Sequence, residues 1–219
     1  MYYLIVGPTC TGKDKIANYI VDNFSGFKTI ISTTSRPIRP KEINGREYYF
    51  VTSDEFKRII SEDGFVEYRT YNTIVKGIPD NWYYGIEKSK VSEEYTDHVV
   101  VIDYKGAVKF AKYFGREKCV LVYVKSLYYE RYIRNILRGD FDKSEWLRRN
   151  KEDSKWLSQA EKSADIIIEN YGYEHPENPN HEDLGIDIIE RERNENKNSF
   201  EDTKTNIGEI LGHFSRRKI

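Results

Sequence analysis

The 219-residue chain has few cysteines, almost no net charge and no long apolar run. Each of these absences argues against one class of protein. Its two cysteines, Cys10 and Cys119, are too few for a disulfide framework or a cysteine-based metal site. The formal net charge of -1 argues against the broad positive field of nucleic-acid-binding and membrane-surface proteins. The longest apolar runs, residues 99–102 and 119–124, are far shorter than the roughly 20 residues that span a bilayer.

The N-terminus enters an apolar run at once, without the cationic region and small-residue cleavage site of a secretory signal. We therefore expect a cytoplasmic protein whose partners include neither nucleic acid nor membrane. Hydrophobic residues at 38% and aromatic residues at 14% suffice to bury a core, while charged residues at 32% predict a well-hydrated surface. The chain is therefore expected to fold as a globular protein.

Short apolar runs separated by helical patterns predict an α/β fold with a parallel central sheet. Between the first two runs, residues 13–24 place Ile16, Ala17, Ile20 and Phe24 on one helical face, which is the start of a βαβ unit. The predicted strands are residues 3–6, 28–31, 98–102, 119–124 and 165–169.

Three further segments differ from the predicted core in composition and residue pattern. Residues 32–97 alternate polar and aromatic side chains before a helical pattern that starts at Thr52, which predicts a small inserted α+β lobe. After residue 124, the pattern predicts a helix to Leu137, a break at Gly139-Asp140 and one further helix that carries Trp146, Leu147, Trp156, Leu157 and Ala160. The charged break between the two helices predicts a mobile flap. Residues 170–202 are acidic and rich in asparagine, so we expect an irregular stretch there. A helical pattern returns from residue 205.

The sequence Gly7-Pro8-Thr9-Cys10-Thr11-Gly12-Lys13 follows the first predicted strand and opens the first predicted helix. This is the context that a Gly-x-x-x-x-Gly-Lys phosphate loop requires. Such a loop turns backbone N–H groups toward phosphates, and the helix N-terminus adds positive potential. Lys13 is expected to reach the β- and γ-phosphate oxygens, so the motif predicts a polyphosphate site for ATP.

Asp14 follows Lys13 at the position where a Ser or Thr hydroxyl normally contacts Mg²⁺. One interpretation is that its carboxylate holds Mg²⁺ directly or through water, since oxygen ligands suit this hard cation. The other is that Asp14 only stabilises the helix N-terminus, or repels the phosphates and weakens ATP binding. We expect a competent loop with Asp14 as a metal ligand.

A second cluster runs from Ser32 through Thr33-Thr34, Arg36-Pro37, Arg39-Pro40 and Asn44-Gly45 to Tyr48. Its order resembles the corresponding segment of guanylate kinases. The resemblance continues in the family's order over about residues 1–170, through the motifs Phe65-Val66-Glu67-Tyr68, Tyr83-Tyr84-Gly85, Val101-Ile102-Asp103-Tyr104-Lys105-Gly106 and Arg138-Gly139. The chain therefore resembles the guanylate kinase family of P-loop nucleoside monophosphate kinases.

The resemblance implies a three-layer P-loop NTPase fold with a parallel central sheet, an inserted acceptor-binding lobe and a helical lid. The corresponding boundaries are residues 1–31, 98–127 and 155–219 for the core, 32–97 for the nucleoside-monophosphate lobe and 128–154 for the lid. Residues 170–202 are then an acidic stretch within the C-terminal part of the core. The implied substrates and cofactor are ATP, GMP or dGMP, and Mg²⁺.

The resemblance also implies roles for individual residues. The acceptor phosphate would be held by Arg36, Arg39, Tyr48 and Tyr84, and the base would be contacted by Ser32, Glu67 and Asp103. A carboxylate that accepts from N1–H and the exocyclic amine selects guanine, because adenine presents no matching pair of donors. Catalytic charge would come from Lys13, Arg138 and Arg148 or Arg149. Arg131 and Arg134 are expected on a solvated helical face.

The sequence departs from the family's pattern in the acceptor lobe. Ile86 stands where a Ser or Thr would contact the base, and Val101 replaces a second acid of the Asp103 strand. Residues 69–83 form a longer connection than usual, which is expected to reshape the acceptor pocket. A kinase with another nucleotide or a sugar phosphate as acceptor therefore remains an alternative.

We expect an ATP-dependent kinase of GMP or dGMP. The alternative from another class is a guanylate-kinase-like module that binds a phosphorylated peptide and has lost turnover. Retention of Gly7, Gly12, Lys13 and Arg138 favours the enzyme, because a module without ATP has no chemical need for them. The sequence does not distinguish a monomer from a homodimer.

Overall fold

The structure, a computed structural model, describes residues 1–75, 78–91, 96–139 and 141–170. Its strands are β1 (Tyr2–Val6), β2 (Phe27–Thr29), β3 (Thr33–Thr34), β4 (Tyr49–Phe50), β5 (Phe65–Val75), β6 (Ile78–Glu87), β7 (Asp97–Val101), β8 (Cys119–Lys125) and β9 (Ile166–Glu169). Its α-helices are α1 (Lys13–Asn23), α2 (Ser53–Ser61), α3 (Tyr104–Phe114), α4 (Tyr128–Leu137), α5 (Lys143–Ser154) and α6 (Leu157–Ser163). Short 3-10 helices lie at Lys88–Lys90 and Arg116–Lys118.

Five strands form the central sheet in the order β2-β7-β1-β8-β9. The pairs β2·β7 and β8·β9 are parallel, in a register that places Phe27 beside Asp97 and Val122 beside Ile166. Six of the seven residues of β8 are buried, as expected for a strand that helices cover on both faces. The predicted α/β class with a parallel central sheet is confirmed.

A second sheet of four strands, in the order β4-β3-β6-β5, lies in the region predicted as an α+β lobe. Strands β5 and β6 are antiparallel, and their register runs from Glu67 beside Ile86 to Val75 beside Ile78. The long connection predicted before Tyr84 is therefore the far part of this hairpin. Helix α2 begins where predicted, with the Thr52 hydroxyl accepting the Glu55 N–H at 3.1 Å.

The chain divides into two compact units, one of Met1–Leu4 with Phe24–Val120 and one of Ile5–Asn23 with Leu121–Ile219. The finer division into core, lobe and lid stays a prediction. None of the helices in the described ranges is long and apolar enough to cross a membrane. Residues 171–202 and the helix predicted from residue 205 lie outside the described residues.

One predicted helix is two helices in the structure. The helix predicted to carry both Trp146 and Trp156 ends at Ser154, and α6 starts at Leu157. Trp156 lies between them with φ of -130° and ψ of -4°, outside the helical range, and its side chain is buried. Residues 148–155 are all polar, so no apolar periodicity could mark where the first of the two helices ends.

Candidate functional site

The glycines of the predicted phosphate loop allow the backbone to pass close to its neighbours. The loop lies between β1 and α1, as the motif requires. A Cβ on Gly7 would lie 2.5 Å from the backbone oxygen of Val124, so no larger residue fits there. Gly12 has φ of +87°, and a Cβ on it would lie 2.7 Å from Nδ2 of Asn170.

Lys13 begins α1 and turns back over the loop. Its Nζ donates hydrogen bonds of 2.8 Å to the Gly7 oxygen and 2.7 Å to the Pro8 oxygen. Burial lowers the pKa of the Lys13 ammonium, and the carboxylates of Asp14 and Asp153 oppose this shift. The loop thus holds a cation beside backbone groups, which is suited to a polyanion.

The remaining loop residues are fixed by short contacts. The Thr11 side chain is fully buried and its hydroxyl donates to the Pro8 oxygen at 3.1 Å. The Thr11 oxygen accepts a 2.7 Å hydrogen bond from Nδ2 of Asn170. Cys10 has φ of +61° and a half-buried thiol, whereas Cys119 is buried. Sequence reasoning missed Asn170, because only the fold brings the end of β9 to the loop.

Asp14 lies in the first turn of α1 with an exposed side chain. Its carboxylate acts on the loop through charge, since it opposes the lowering of the Lys13 pKa that burial causes. Among the described residues, no group of three or more His, Cys, Asp or Glu side chains is arranged to hold a metal ion. Mg²⁺ commonly binds through one or two carboxylates together with the phosphates of a substrate.

Arg131 corrects a prediction, because it is buried and not on a solvated face. Its Nη1 donates to the Thr9 oxygen at 3.2 Å and to Oδ1 of Asn150 at 2.9 Å. The guanidinium also lies over the rings of Tyr128 and Trp146, at 5.6 and 5.7 Å from their centroids. Burial lowers the pKa of Arg131, and nearby Asp153 opposes this.

Asp153 on α5 is a second loop contact that the sequence did not reveal. Its Oδ2 accepts a 2.7 Å hydrogen bond from the backbone N–H of Thr9. Burial raises the pKa of this carboxyl, while the Thr9 N–H and the charges of Lys13 and Arg131 oppose the shift. Asp153 and Arg131 together fix both backbone groups of Thr9.

The remaining arginines of the predicted lid lie on α4, just after it, or on α5. Arg134, like Arg131, corrects the expectation of a solvated face: its side chain is only 17% exposed, and it donates to Ser126 Oγ at 2.9 Å and to the Asn170 oxygen at 3.2 Å. Arg138 is exposed after α4 and donates to Asn135 at 3.0 Å. Arg148 and Arg149 both donate to Glu145, through Nε at 2.6 and 2.7 Å.

In the other unit, the residues predicted to hold the acceptor phosphate surround Arg36. Arg36 is 3% exposed, and its Nη2 donates to Glu42 at 2.8 Å while its Nη1 donates to the Pro37 oxygen at 2.7 Å. Its guanidinium carbon lies 5.5 Å from the centroid of the Tyr48 ring. Tyr48 and Tyr84 are edge to face at 5.9 Å. Three of the four predicted residues are therefore adjacent.

Glu42, which the sequence analysis did not assign, links Arg36 to Arg39. One of its oxygens accepts from Arg36, and the other accepts the Arg39 backbone N–H at 2.8 Å. Burial would raise the pKa of this carboxyl, but these hydrogen bonds hold it below its usual range. Burial would likewise lower the Arg36 pKa, but Glu42 and the nearby tyrosines raise it. Glu42 thereby fixes the loop that carries both arginines.

Two of the three residues predicted at the base, Glu67 and Asp103, share one partner. Arg69 Nε donates to Glu67 Oε2 at 3.0 Å, and Arg69 Nη1 forms an ion pair with the Asp103 carboxylate. Ser32 precedes β3, where its backbone oxygen accepts the Tyr49 N–H at 2.9 Å. Arg69 was not assigned from the sequence, because its neighbour Glu67 carried the motif.

Ile86 is fully buried beside Glu67 in the hairpin. The apolar residue that departs from the family's pattern is therefore one of the buried core side chains. Val101, the second departure, ends β7 and is partly buried.

Comparison with known proteins agrees with this geometry. The guanylate kinase family model matches residues 1–175. The chain belongs to the guanylate kinase family. A guanylate kinase of Caldanaerobacter subterraneus is 30% identical over 171 residues, which are 75% of this chain and 77% of the relative. A guanylate kinase of Clostridium acetobutylicum is 31% identical over 169 residues, with 75% and 76% covered.

A solved structure also matches. The crystal structure of guanylate kinase from Anaplasma phagocytophilum aligns with a TM-score of 0.53 at 20% identity, covering 93% of this chain and 86% of that chain. This likeness supports the fold alone. The resemblance inferred from the motifs is thus confirmed at the level of the family and of the P-loop fold.

Proposed function

We propose that the protein transfers the γ-phosphoryl group of ATP to GMP or dGMP, giving ADP and the nucleoside diphosphate. The observation that carries this proposal is the phosphate loop with the partly buried, inward-turned ammonium of Lys13, in a chain of the guanylate kinase family. Curated guanylate kinases at about 30% identity over most of the chain support the acceptor. The proposed partners are therefore these nucleotides, and the cytoplasmic location stays a prediction.

For ATP, we assign the loop residues Gly7, Pro8, Thr9, Cys10, Thr11, Gly12, Lys13 and Asp14. The backbone N–H groups of the loop would bind phosphate oxygens, and Lys13 would exchange its two carbonyl contacts for them. The loop suits a polyanion because its backbone N–H groups, the N-terminus of α1 and the Lys13 ammonium all favour negative charge there. Mg²⁺, when bound, would supply charge neutralisation between the phosphates, with exposed Asp14 as its protein ligand.

For the acceptor phosphate, we assign Arg36, Arg39, Tyr48 and Tyr84. A guanidinium offers a planar fork that matches phosphate oxygens, and Glu42 already holds the Arg36 fork in one orientation. Tyrosine hydroxyls add neutral donors at low cost in side-chain freedom. For the base, we assign Ser32, Glu67 and Asp103, with Glu67 as the residue that selects guanine.

For catalysis, we assign Lys13 and Arg138 together with Arg148 or Arg149. Phosphoryl transfer needs little covalent help from the protein, because positioning and charge neutralisation lower its barrier. Arg148 and Arg149 share Glu145 in this structure, so at least one of them must leave that carboxylate to reach a phosphate. Exclusion of water is required as well, since water would otherwise accept the phosphoryl group.

ADP formation with MgATP and each of GMP, dGMP, AMP, CMP and UMP tests the proposal, with Lys13→Ala as the control. We expect turnover with GMP and dGMP only, and its loss in the variant. If folded protein shows no turnover with any acceptor, the kinase proposal is wrong. The alternative of a module that binds a phosphorylated peptide is then favoured. Turnover with another acceptor would keep the reaction but overturn the guanine assignment.

A further inference from the structure

Arg69 links the two acids that the family resemblance assigns to the base. Its Nε donates to Glu67 Oε2 at 3.0 Å, and its Nη1 pairs with the Asp103 carboxylate and approaches the Tyr71 hydroxyl at 3.4 Å. The Arg69 side chain is only 13% exposed. This arginine is thus built into the part of the lobe where a base is proposed to bind.

Backbone geometry explains how Arg69 reaches this position. Glu67, Arg69 and Tyr71 alternate along β5, so their side chains leave the same face of the strand. Gly106, in the first turn of α3, provides the space. A Cβ on Gly106 would lie 2.7 Å from the guanidinium carbon of Arg69 and 2.8 Å from its Nη2. The guanidinium therefore lies directly against the start of α3.

The carboxylate oxygens of Asp103 and Glu67 differ in their hydrogen-bond partners. Asp103 is the N-cap of α3, where Oδ1 accepts the Gly106 N–H at 3.0 Å, and Oδ2 is shared by Arg69 and Tyr71. Glu67 Oε2 is held by Arg69, but Glu67 Oε1 is buried with no hydrogen-bond partner among the described residues. The Glu67 side chain is 1% exposed. A buried carboxylate oxygen without a donor is costly, which points to a ligand that supplies an N–H group.

The residue beside Glu67 cannot contact the polar edge of a base. Ile86 is the cross-strand partner of Glu67 and is fully buried. Its side chain has no hydrogen-bonding atom. A donor for a base carbonyl must therefore come from another residue, and Arg69 has one available. The contacts of Arg69 with described residues engage Nε and Nη1 and leave the two hydrogens of Nη2 for a ligand.

We propose that Arg69 is a specificity-determining residue that donates from Nη2 to the 6-carbonyl of the guanine base, while Glu67 Oε1 accepts from N1–H. This inference rests on the proposed function and names one of the contacts that select its acceptor. Guanine presents a carbonyl acceptor next to an N–H donor, which matches a guanidinium next to a carboxylate. Adenine presents the opposite order, a donor amine next to an acceptor nitrogen, so both contacts reject it.

The test compares acceptors that differ at single positions of the base. Steady-state kinetics of the full chain with saturating MgATP are measured for GMP, for IMP, which lacks only the 2-amino group, and for AMP. AMP differs from IMP by a 6-amino group in place of the carbonyl and hence by an N1 without hydrogen. The variants are Arg69→Lys, which keeps a cation between the acids but has no Nη2, and Arg69→Met. Arg58→Lys, at an exposed arginine of α2, is the matched control.

We expect Arg69→Lys to lower kcat/KM for GMP and IMP by the same factor, about tenfold or more, mainly through KM. Turnover of AMP should change little, so the preference for GMP over AMP falls. The melting temperature of Arg69→Lys should stay close to wild type, because its ammonium still neutralises Glu67 and Asp103. Arg69→Met should show the same loss of preference with reduced stability, since it removes the cation that pairs with both acids.

A preference for GMP over AMP that survives both substitutions overturns the inference while leaving the kinase in place. A loss for GMP without an equal loss for IMP also overturns it, because the contact would then be with the 2-amino group. If wild-type protein phosphorylates neither GMP nor IMP, the proposed function is wrong, and the inference about Arg69, which rests on it, is wrong as well.

Discussion

The carboxylate of Asp153 accepts a 2.7 Å hydrogen bond from the backbone N–H of Thr9, inside the phosphate loop. That N–H is one of the donors that such a loop offers to a phosphate oxygen. Lys13 is close enough for Asp153 to oppose the lowering of the Lys13 pKa that burial causes. An acid of the protein therefore occupies a position suited to the anion that the loop is proposed to bind.

Asp153→Asn is expected to strengthen ATP binding about threefold to tenfold. The amide keeps an oxygen that can accept the Thr9 N–H but removes a negative charge that opposes the phosphates, an effect on the order of 1 kcal/mol. Equilibrium titration of the variant with ATP measures it. Asp165→Asn is the matched control, since Asp165 also accepts a backbone N–H, that of Leu121 at 2.7 Å. Weaker ATP binding in Asp153→Asn would show that the acid supports the loop.

The stability of Asp153→Asn relative to wild type should depend on pH in a defined direction. Burial raises the pKa of Asp153, so the folded protein holds this proton more tightly than the unfolded chain. The stability that this gives is present below the ordinary carboxyl pKa and is lost as the pH rises through the raised pKa. The melting temperature of Asp153→Asn, relative to wild type, should therefore increase over that window. A constant difference across the window would contradict this.

The pH profile of kcat/KM for GMP should have an acid limb that is caused by protonation of Glu67. Burial raises the pKa of this carboxyl above its ordinary value of 4.5, although Arg69 and Lys109 oppose the shift. Protonation converts one Glu67 oxygen into an O–H donor, so the group can no longer accept from both Arg69 and the N1–H of guanine. We therefore expect kcat/KM for GMP to fall as the pH falls through the raised pKa. The other neighbours are Asp103, paired with Arg69, and uncharged Ile86.

The control for this profile is Glu67→Gln, because the acceptor's own phosphate also titrates and does so equally in both proteins. The variant should have low activity with GMP and a profile that lacks the Glu67 contribution. Identical acid limbs in wild type and variant would assign the limb to the substrate and contradict the prediction.

Arg131→Met should destabilise the protein by about 2 kcal/mol, because it leaves the Thr9 oxygen and Asn150 without a buried donor. Chemical denaturation measures the loss. Arg58→Met, at a side chain that is 60% exposed, should change stability by less than about 0.5 kcal/mol. Equal effects of the two substitutions would mean that the buried contacts of Arg131 contribute nothing.

Gly106→Ala tests the position of Arg69 without changing either charge. The new Cβ would lie within 2.9 Å of three guanidinium atoms, at the far end of a flexible side chain that can move away. We expect a folded protein with a raised KM for GMP and an unchanged KM for ATP. An unchanged KM for GMP would show that the guanidinium need not lie against α3.

The phosphate loop could be predicted from the sequence because the residues that form it are close together along the chain. Glycines and a lysine at fixed spacing, between an apolar run and a helical pattern, specify the turn and the helix that follows. The acidic contact at Thr9 could not be predicted in this way. Asp153 is 144 positions away along the chain and lies within a charged helical pattern that also fits a solvated face.

Arg131 and Arg69 show the same limit. Charge on α4 favoured solvent for Arg131, and only the fold shows that Tyr128, Trp146 and Asn150 enclose it. Arg69 lies two residues from Glu67, yet its pairing with Asp103 depends on how β5 packs against α3. The family resemblance named the two acids, but no motif identified the arginine that pairs with both of them.

The two cysteines differ so much in access that the wild-type chain can be labelled at one position. Cys10 lies in the phosphate loop with a partly accessible thiol, while Cys119 is 3% exposed at the start of β8. A maleimide should therefore modify about one thiol per folded molecule, and bound ATP should protect it. The rate of alkylation then reports occupancy of the loop without any engineered probe, and it does so even in variants that no longer turn over.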